Sequence, residues 1–135
     1  MIKVLVIDAQ GGGIGKQIVN AIRTEGIPAE ITAVGANMAA TAQMMKADPD
    51  HSATGENPVV VACRTADVII GPIGIAIADS MYGEITPAMA MAVGQSVATK
   101  ILIPINNCSN YVAGVDNLNM KYLISAAIEK LKSLT

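Results

Sequence analysis

The chain has 135 residues, of which 52% are hydrophobic, 15% are charged and three are aromatic. The length fits one domain with a substantial core, and the low charged fraction excludes an intrinsically disordered chain. The net charge of −2 and the three tyrosines argue against nucleic acid or an anionic membrane as partners, and no apolar run reaches the roughly 20 residues of a membrane span.

Strand and helix patterns alternate along the first half of the chain. Continuous apolar runs of strand length predict strands buried on both faces, and apolar residues one turn apart predict amphipathic helices. In order, we expect a strand at Ile2–Asp8, a helix with Ile14, Ile18 and Ile22 one turn apart that Gly26 and Pro28 stop, a strand at Ile31–Val34, a helix from an Asn37 cap to about Lys46, and a polar loop at Ala47–Glu56.

The second half begins with an ambiguous segment. Three valines in Val59–Cys63 favour a strand, but the Asn57-Pro58 pair is a typical helix start, so we favour a short helix at Pro58–Ala66. The later elements are a strand at Asp67–Gly71, a helix at Ile73–Met81, a helix from Thr86-Pro87 to about Ala98, a strand at Ile101–Ile105, and a last helix capped by Asp116 or Asn117 with the apolar face Met120, Ile124, Ala127, Leu131 and Leu134.

This alternation predicts an α/β fold: one Rossmann-like three-layer domain over residues 1–135, with a mostly parallel sheet. Right-handed crossovers place the first strand in the centre of the sheet. Pro104 cannot donate to a strand ladder, so Ile101–Ile105 is expected at or near a sheet edge. Tyr111–Val115 is a candidate hairpin partner at that edge.

The strongest chemical signal is a glycine-rich turn between the first strand and the first helix. Glycines let the backbone turn tightly and approach a ligand closely, and the free N–H groups of a helix start attract an anion such as phosphate. The alternative is a turn that only packs the helix on the strand. The candidate cofactor-binding residues of this segment are Asp8, Gln10, Gly11, Gly12, Gly13, Ile14 and Gly15.

The sequence of the glycine loop does not match any one nucleotide-binding motif in full. Lys16 stands where Gly-x-Gly-x-x-Gly needs its last glycine, and a phosphate-binding loop of the Walker type fails at Gln10 and Gln17. The segment from Ala9 to Gly15 is close to the short-chain dehydrogenase turn, but no tyrosine is followed four residues later by lysine, so that catalytic apparatus is absent.

The residues that follow the second predicted strand favour neither NAD nor NADP as the ligand. The ribose-binding acid expected about 20 residues past the loop is missing from Gly35-Ala36-Asn37, and no arginine is present there for a 2′-phosphate. Asn37 either donates to a ribose or phosphate or only caps the helix. NAD(P), a mononucleotide and another phosphorylated metabolite therefore all remain open as ligands.

A second loop follows the Asp67–Gly71 strand, which should lie beside the first strand across the ligand crevice. Its candidate ligand contacts are Gly71, Pro72, Ile73 and Gly74, with an ordinary strand–helix turn as the alternative. Asn106 follows a later strand end and either lines the same crevice or belongs to a polar hairpin loop.

Catalytic residues are not assigned. Asp8 or Glu84 with Cys108 is a weak candidate set, because Asp79, Ser80 and Glu84 read more readily as a solvated turn than as a lid or acid–base pair. His51 with Asp48 and Asp50 is not expected to bind a metal, and Cys63 and Cys108 are expected to be reduced core thiols in a cytoplasmic protein.

Five motifs occur in order along nearly the whole chain: DAQGGGIG, TGEN, ADVIIGPIG, GEITP and ILIPINNC. Together they resemble a family of small bacterial proteins, domain of unknown function 3842. Ala9 replaces a glycine of the family's usual first motif and keeps a small residue there. The resemblance implies a Rossmann-like domain standing alone and implies no activity. Its matching motif positions are Asp8, Gln10, Gly11, Gly12, Gly13, Gly15, Gly71, Pro72 and Gly74.

Two function classes follow from the sequence. The first is a protein that binds a nucleotide, dinucleotide or other phosphorylated small molecule at the Gly11–Gly15 loop. The alternative is a non-catalytic oligomeric structural or interaction protein whose glycines serve packing only. In both cases we expect a homodimer or larger homo-oligomer, because one helix buries only one stripe on the sheet. Met–Ala helices are the candidate interface, from the methionines Met38, Met44, Met45, Met81, Met89 and Met91.

Overall fold

A computed structural model describes residues 1–105, 110–115 and 118–135 of the chain. Five strands form one sheet in the order β3-β2-β1-β4-β5, and every pairing is parallel. The strands are β1 (Ile2–Asp8), β2 (Ala29–Gly35), β3 (His51–Thr54), β4 (Val68–Pro72) and β5 (Thr99–Ile103). The predicted α/β Rossmann-like fold with the first strand in the centre is confirmed.

Helices cover both faces of the sheet and give the three layers. They are α1 (Gly13–Thr24), α2 (Met38–Met45), α3 (Glu56–Cys63), α4 (Pro87–Gln95) and α5 (Met120–Ser133), with a short 3-10 helix at Ile73–Ala76. Helices α1, α2 and α5 pack into one buried apolar cluster, whereas α3 and α4 pack into another on the opposite face.

The central strand shows why the chain folds in this way. Val4 and Val6 point into the first cluster, while Leu5 and Ile7 point into the second, and all four side chains are buried. A strand without polar residues on either face is stable only between two layers of helix. The low charge of the sequence therefore reflects, in part, a sheet that is covered on both sides.

Two element predictions are wrong. The predicted loop at Ala47–Glu56 contains β3, an edge strand of mostly exposed residues that pairs with Thr32–Gly35 through its backbone and so lacks an apolar pattern. The predicted helix at Ile73–Met81 is limited to the 3-10 turn at Ile73–Ala76, because Asp79 and Met81 adopt positive φ angles that no right-handed helix allows.

The C-terminal part differs from expectation in smaller ways. β5 is an edge strand, as Pro104 predicted, but Tyr111–Val115 forms a turn and no hairpin strand. The side chain of Asn119 caps α5 at the backbone N–H of Tyr122; Asp116 and Asn117 lie outside the described residues. The buried face of α5 is Leu123, Ile124, Ala127, Ile128 and Leu131, whereas Leu134 is exposed.

Candidate functional site

The candidate site lies at the edge of the sheet where the parallel strands end. Asp8, Gly35 and Pro72 are the last residues of three adjacent strands, and the loops that follow them meet above the sheet. In open α/β sheets, ligands bind in the crevice at this end of the strands. The fold thus brings the two predicted loops and Asn37 to one edge.

The glycine loop turns the chain from β1 into α1 within four residues. Gln10 and Gly12 both have positive φ angles, 50° and 73°. The backbone N–H of Gly12 donates to the carbonyl of Ala9 at 3.1 Å, and α1 begins at Gly13. The left-handed conformation at Gly12 is one that glycine adopts without a steric penalty.

The four glycines of this loop fall into two groups. A methyl group added at Gly12 would lie 2.6 Å from the backbone of Ala40, and one at Gly15 would lie 2.9 Å from the Cβ of Asp8. At Gly11 and Gly13 it would meet no atom within 4 Å, and neither residue has a left-handed φ. Packing and conformation therefore explain Gly12 and Gly15 but leave Gly11 and Gly13 unexplained.

Asp8 occupies the inner side of the helix start. Its carboxylate accepts from the backbone N–H of Gly15 at 2.6 Å and from that of Ala9 at 2.8 Å, and the side chain is buried. Burial raises the pKa of Asp8 above its usual range, although the N–H groups of Gly15, Ala9 and Ile14 oppose that shift. The carboxylate fixes the loop and satisfies part of the positive end of α1.

A second carboxylate reaches the loop from a distant part of the chain. The Oε1 atom of Glu84 accepts from the backbone N–H of Gln10 at 2.8 Å and from the Nδ2 of Asn37 at 2.7 Å. The same Nδ2 donates to the carbonyl of Gln10 at 3.0 Å, while the Oδ1 of Asn37 caps α2 at the N–H of Ala40. Asn37 thus caps the helix, and its amide holds the Glu84 carboxylate against the glycine loop.

Glu84 is carried by a tight turn with unusual backbone angles. Asp79, Met81, Tyr82 and Gly83 all have positive φ, a conformation that is uncommon for side chains other than glycine. The turn is closed by the N–H of Asp79, which donates to the carbonyl of Ile85 at 2.7 Å. The interpretation of Glu84 as part of a solvated turn missed these contacts.

The second predicted loop is built largely for packing. Gly71 and Pro72 are buried at the end of β4, and Ile73 starts the 3-10 helix. A methyl group at Gly74 would lie 2.8 Å from the Cε of Met81 and 3.0 Å from the Oγ of Ser80. Both neighbours belong to the turn that carries Glu84, so Gly74 allows that turn to lie against the 3-10 helix. Asn106 lies outside the described residues.

The remaining polar candidates make local contacts away from this edge. His51 pairs with Glu30 at 3.2 Å, and Asp50 binds Arg23 and the N–H of Ile31. Within the described residues, no group of three or more His, Cys, Asp or Glu side chains could hold a metal ion, and no helix is both long and apolar enough to cross a membrane. Cys63 is buried and its thiol is free, whereas Cys108 lies outside the described residues.

Two recesses of about 540 and 570 Å³ lie elsewhere on the molecule. One is between α1 and α5 and the other between α3 and α4. Neither is lined by a residue of the glycine loop. The loop is instead an open edge, and we give it more weight than the larger recesses because backbone donors and side-chain acceptors converge there.

Comparison with solved structures finds distant similarity to several proteins, including the following two. A dodecameric FMN-dependent Ubix-like decarboxylase from Escherichia coli O157:H7 is 14% identical, with a TM-score of 0.45 and coverage of 96% of this chain and 94% of that one. A nucleoside-diphosphate-sugar epimerase from Pseudomonas aeruginosa is 13% identical, with a TM-score of 0.46 and coverage of 96% and 46%.

Comparison with the curated proteins found no match. A family model, by contrast, covers almost all of the sequence, from residue 3 to residue 135. The resemblance carried by the five ordered motifs is therefore confirmed. The chain belongs to the family described as Domain of unknown function (DUF3842).

Proposed function

We propose that this protein binds a nucleotide, a dinucleotide or another phosphorylated small molecule at the Gly11–Gly15 loop. The observation that carries the proposal is the open space around Gly11 and Gly13. Glycine in a helix costs roughly 0.5–1 kcal/mol relative to alanine, which applies to Gly13 as a residue of α1, and nothing in the described chain requires glycine at either position. A ligand that approaches the backbone closely would explain why glycine occurs at both positions.

The loop also offers suitable donors for such a ligand. Among the described residues, no group accepts a hydrogen bond from the backbone N–H of Gly11 or Gly13, and both residues are exposed. Gly13 is the first residue of a 12-residue helix, where the macrodipole favours an anion. Free backbone N–H groups at a helix start are typical of phosphate sites.

The carboxylates restrict where a phosphate lies. Asp8 already takes the N–H groups of Ala9 and Gly15, and Glu84 takes that of Gln10. A bound phosphate is therefore expected on the outer side of the loop, at Gly11 and Gly13. The crevice-lining candidates around it are Asn37, Pro72, Ile73 and, from the sequence, Asn106.

NAD(P) or a mononucleotide is the proposed cofactor class, and no reaction is assigned. Neither Asp8 nor Glu84 faces a nucleophile in the described contacts, since both carboxylates accept from N–H groups. Their arrangement suits binding and orientation. We accordingly propose a binding or sensing role ahead of a catalytic one.

The test is a ligand screen by calorimetry and thermal shift with NAD, NADP, ATP, FMN and coenzyme A. We expect at least one of these to bind and to raise the melting temperature, and Gly13→Asp to abolish the effect because its carboxylate would occupy the open space. Gly94→Asp is the matched control, since Gly94 is equally open but lies in α4. The proposal fails if none of the five ligands binds the unmodified protein.

A homo-oligomer remains a further proposal. Met38, Met45 and Met91 are 79%, 55% and 54% exposed, which leaves apolar surface on α2 and α4. Met44, Met81 and Met89 are instead buried within the chain and cannot form an interface. The purely structural alternative explains Gly12 and Gly15 by packing, but it gives no reason for Gly11 and Gly13.

A further inference from the structure

We propose that Glu84, held in place by Asn37, recognises the ribose of the bound ligand, and that this ligand is a ribonucleotide whose 2′- and 3′-hydroxyls are both free. The inference rests on the proposed nucleotide site at the glycine loop and names the class of ligand that this site accepts. It predicts NAD or ATP as ligands and disfavours NADP and coenzyme A, which carry phosphate on the ribose.

The first step is the position of the carboxylate. A ribose in a Rossmann-like crevice is bound by an acid at the end of the second strand, and the sequence there, Gly35-Ala36-Asn37, has none. Glu84 fills that place from another part of the chain, because its Oε1 lies 2.7 Å from the Nδ2 of Asn37. The missing acid is thus supplied in space by the turn after β4.

The second step is the orientation of the carboxylate. Two donors hold the Oε1 of Glu84, the N–H of Gln10 and the amide of Asn37, and Asn37 is itself fixed by its cap to Ala40. A carboxylate accepts up to about four hydrogen bonds. The described residues supply no partner for Oε2, so Glu84 retains acceptor capacity for two hydroxyl groups.

The third step is the distance along the ligand. Gln10, whose N–H binds Glu84, directly precedes Gly11. A ribose is joined to its 5′-phosphate by a single methylene, so a phosphate on Gly11 and Gly13 places the ribose beside this pair of side chains. Phosphate and ribose would then be held by adjoining parts of one loop.

The fourth step is charge. A phosphate on the 2′- or 3′-oxygen would face the Glu84 carboxylate, and like charges at close range repel. Among the described residues, no lysine or arginine contacts Glu84 or Asn37. The Glu84 carboxylate therefore selects a free diol and rejects a phosphorylated one.

The experiment compares ligand affinities in the wild-type protein and in Glu84→Gln by calorimetry. We expect the wild type to bind NAD at least about tenfold more tightly than NADP, and ATP at least about tenfold more tightly than 2′-deoxy-ATP, because each comparison loses a hydrogen bond to a charged group. Glu84→Gln should bring the NAD/NADP ratio close to one. Glu30→Gln is the control, since Glu30 contacts His51 near the start of β2, at the opposite end of that strand from Gly35 and the glycine loop.

The outcomes separate this inference from the proposed function. Binding of ribonucleotides with equal affinity for NAD and NADP, or for ATP and 2′-deoxy-ATP, overturns the ribose assignment and leaves the phosphate site in place. So does a preference for FMN, which has no ribose ring. If the wild type binds none of the nucleotides, both proposals fall. The ATP comparison uses the wild type alone, so a folding defect in Glu84→Gln cannot protect the inference.

Discussion

Replacing Gly13 by alanine separates the stability of the glycine loop from its binding role. A Cβ at this position meets no atom within 4 Å, and the residue already has helical backbone angles as the first residue of α1. Alanine restricts the unfolded chain more than glycine does. Gly13→Ala should therefore stabilise the folded protein while it obstructs any ligand that needs the bare backbone.

The magnitude follows from helix propensity. Glycine is about 0.5–1 kcal/mol less favourable than alanine in a helix. At roughly 2.1 cal/mol/K per residue, the unfolding entropy of 135 residues is about 0.28 kcal/mol/K. The expected rise in melting temperature is therefore about 2–4 °C, which thermal unfolding followed by far-ultraviolet circular dichroism measures easily.

Gly15→Ala is the matched opposite case. Its Cβ would lie 2.9 Å from the Cβ of Asp8, whose carboxylate is held by two backbone N–H groups and cannot retreat freely. Overpacking of this kind costs about 1–3 kcal/mol against a propensity gain of about 0.5–1 kcal/mol, so the net loss reaches about 2.5 kcal/mol and the melting temperature should fall by up to about 9 °C. The division of the loop into packing and open glycines is refuted if Gly13→Ala destabilises the protein as much as Gly15→Ala does.

Three further predictions concern titration, thiol reactivity and assembly. Burial raises the pKa of Asp8 in the folded state above its unfolded value near 3.8, so the free energy of unfolding should decline as pH rises from about 3.8 through the folded pKa. Urea unfolding of Asp8→Asn should lack this pH-dependent decline. A difference in stability between the two proteins that does not change with pH would contradict the prediction. Burial raises the pKa of the Cys63 thiol to about 11. In the Cys108→Ser variant at pH 8, the native protein should therefore react with iodoacetamide far more slowly than the unfolded protein. Equal reaction rates would show that the Cys63 thiol is accessible. Light scattering should give a mass above one chain, lowered by Met91→Glu if α4 forms the interface, and a monomeric wild type would refute the oligomer.

The elements that were predicted well are those whose signals are local. β1, the glycine turn and α1 follow one another within 24 residues, so apolar runs, glycines and helical spacing are read directly from the sequence. β3 was missed because an exposed edge strand is stabilised by backbone pairing with β2 and needs no apolar pattern. The predicted helix at Ile73–Met81 failed because Met81 and Tyr82 adopt positive φ without being typical turn residues.

The candidate site was only half predictable for the same reason. The glycines and Asp8 belong to one short segment, whereas Glu84 is 74 residues from Gln10 and 47 from Asn37 along the chain. No spacing rule joins residues so far apart; their contact depends on the parallel order of β1, β2 and β4. The sequence correctly indicated that no acidic residue follows the second strand, but it could not show that Glu84 reaches the same place from another segment.

These two halves together explain why the loop keeps four glycines. Gly12 and Gly15 let α1 lie close to Ala40 and Asp8, and that close packing is what places the Asp8 carboxylate under the helix start. Asp8 accepts from the inner N–H groups and Glu84 from that of Gln10, so within the described residues the backbone N–H groups of Gly11 and Gly13 are the loop donors left for a ligand. The Asp8 carboxylate thus neutralises part of the positive end of α1, so we expect ligand binding at Gly11 and Gly13 to depend on the ribose contacts as much as on the phosphate. A phosphate alone would be held weakly by the N–H groups of Gly11 and Gly13, and a ligand that brings a phosphate and a free diol together meets both parts of the proposed site.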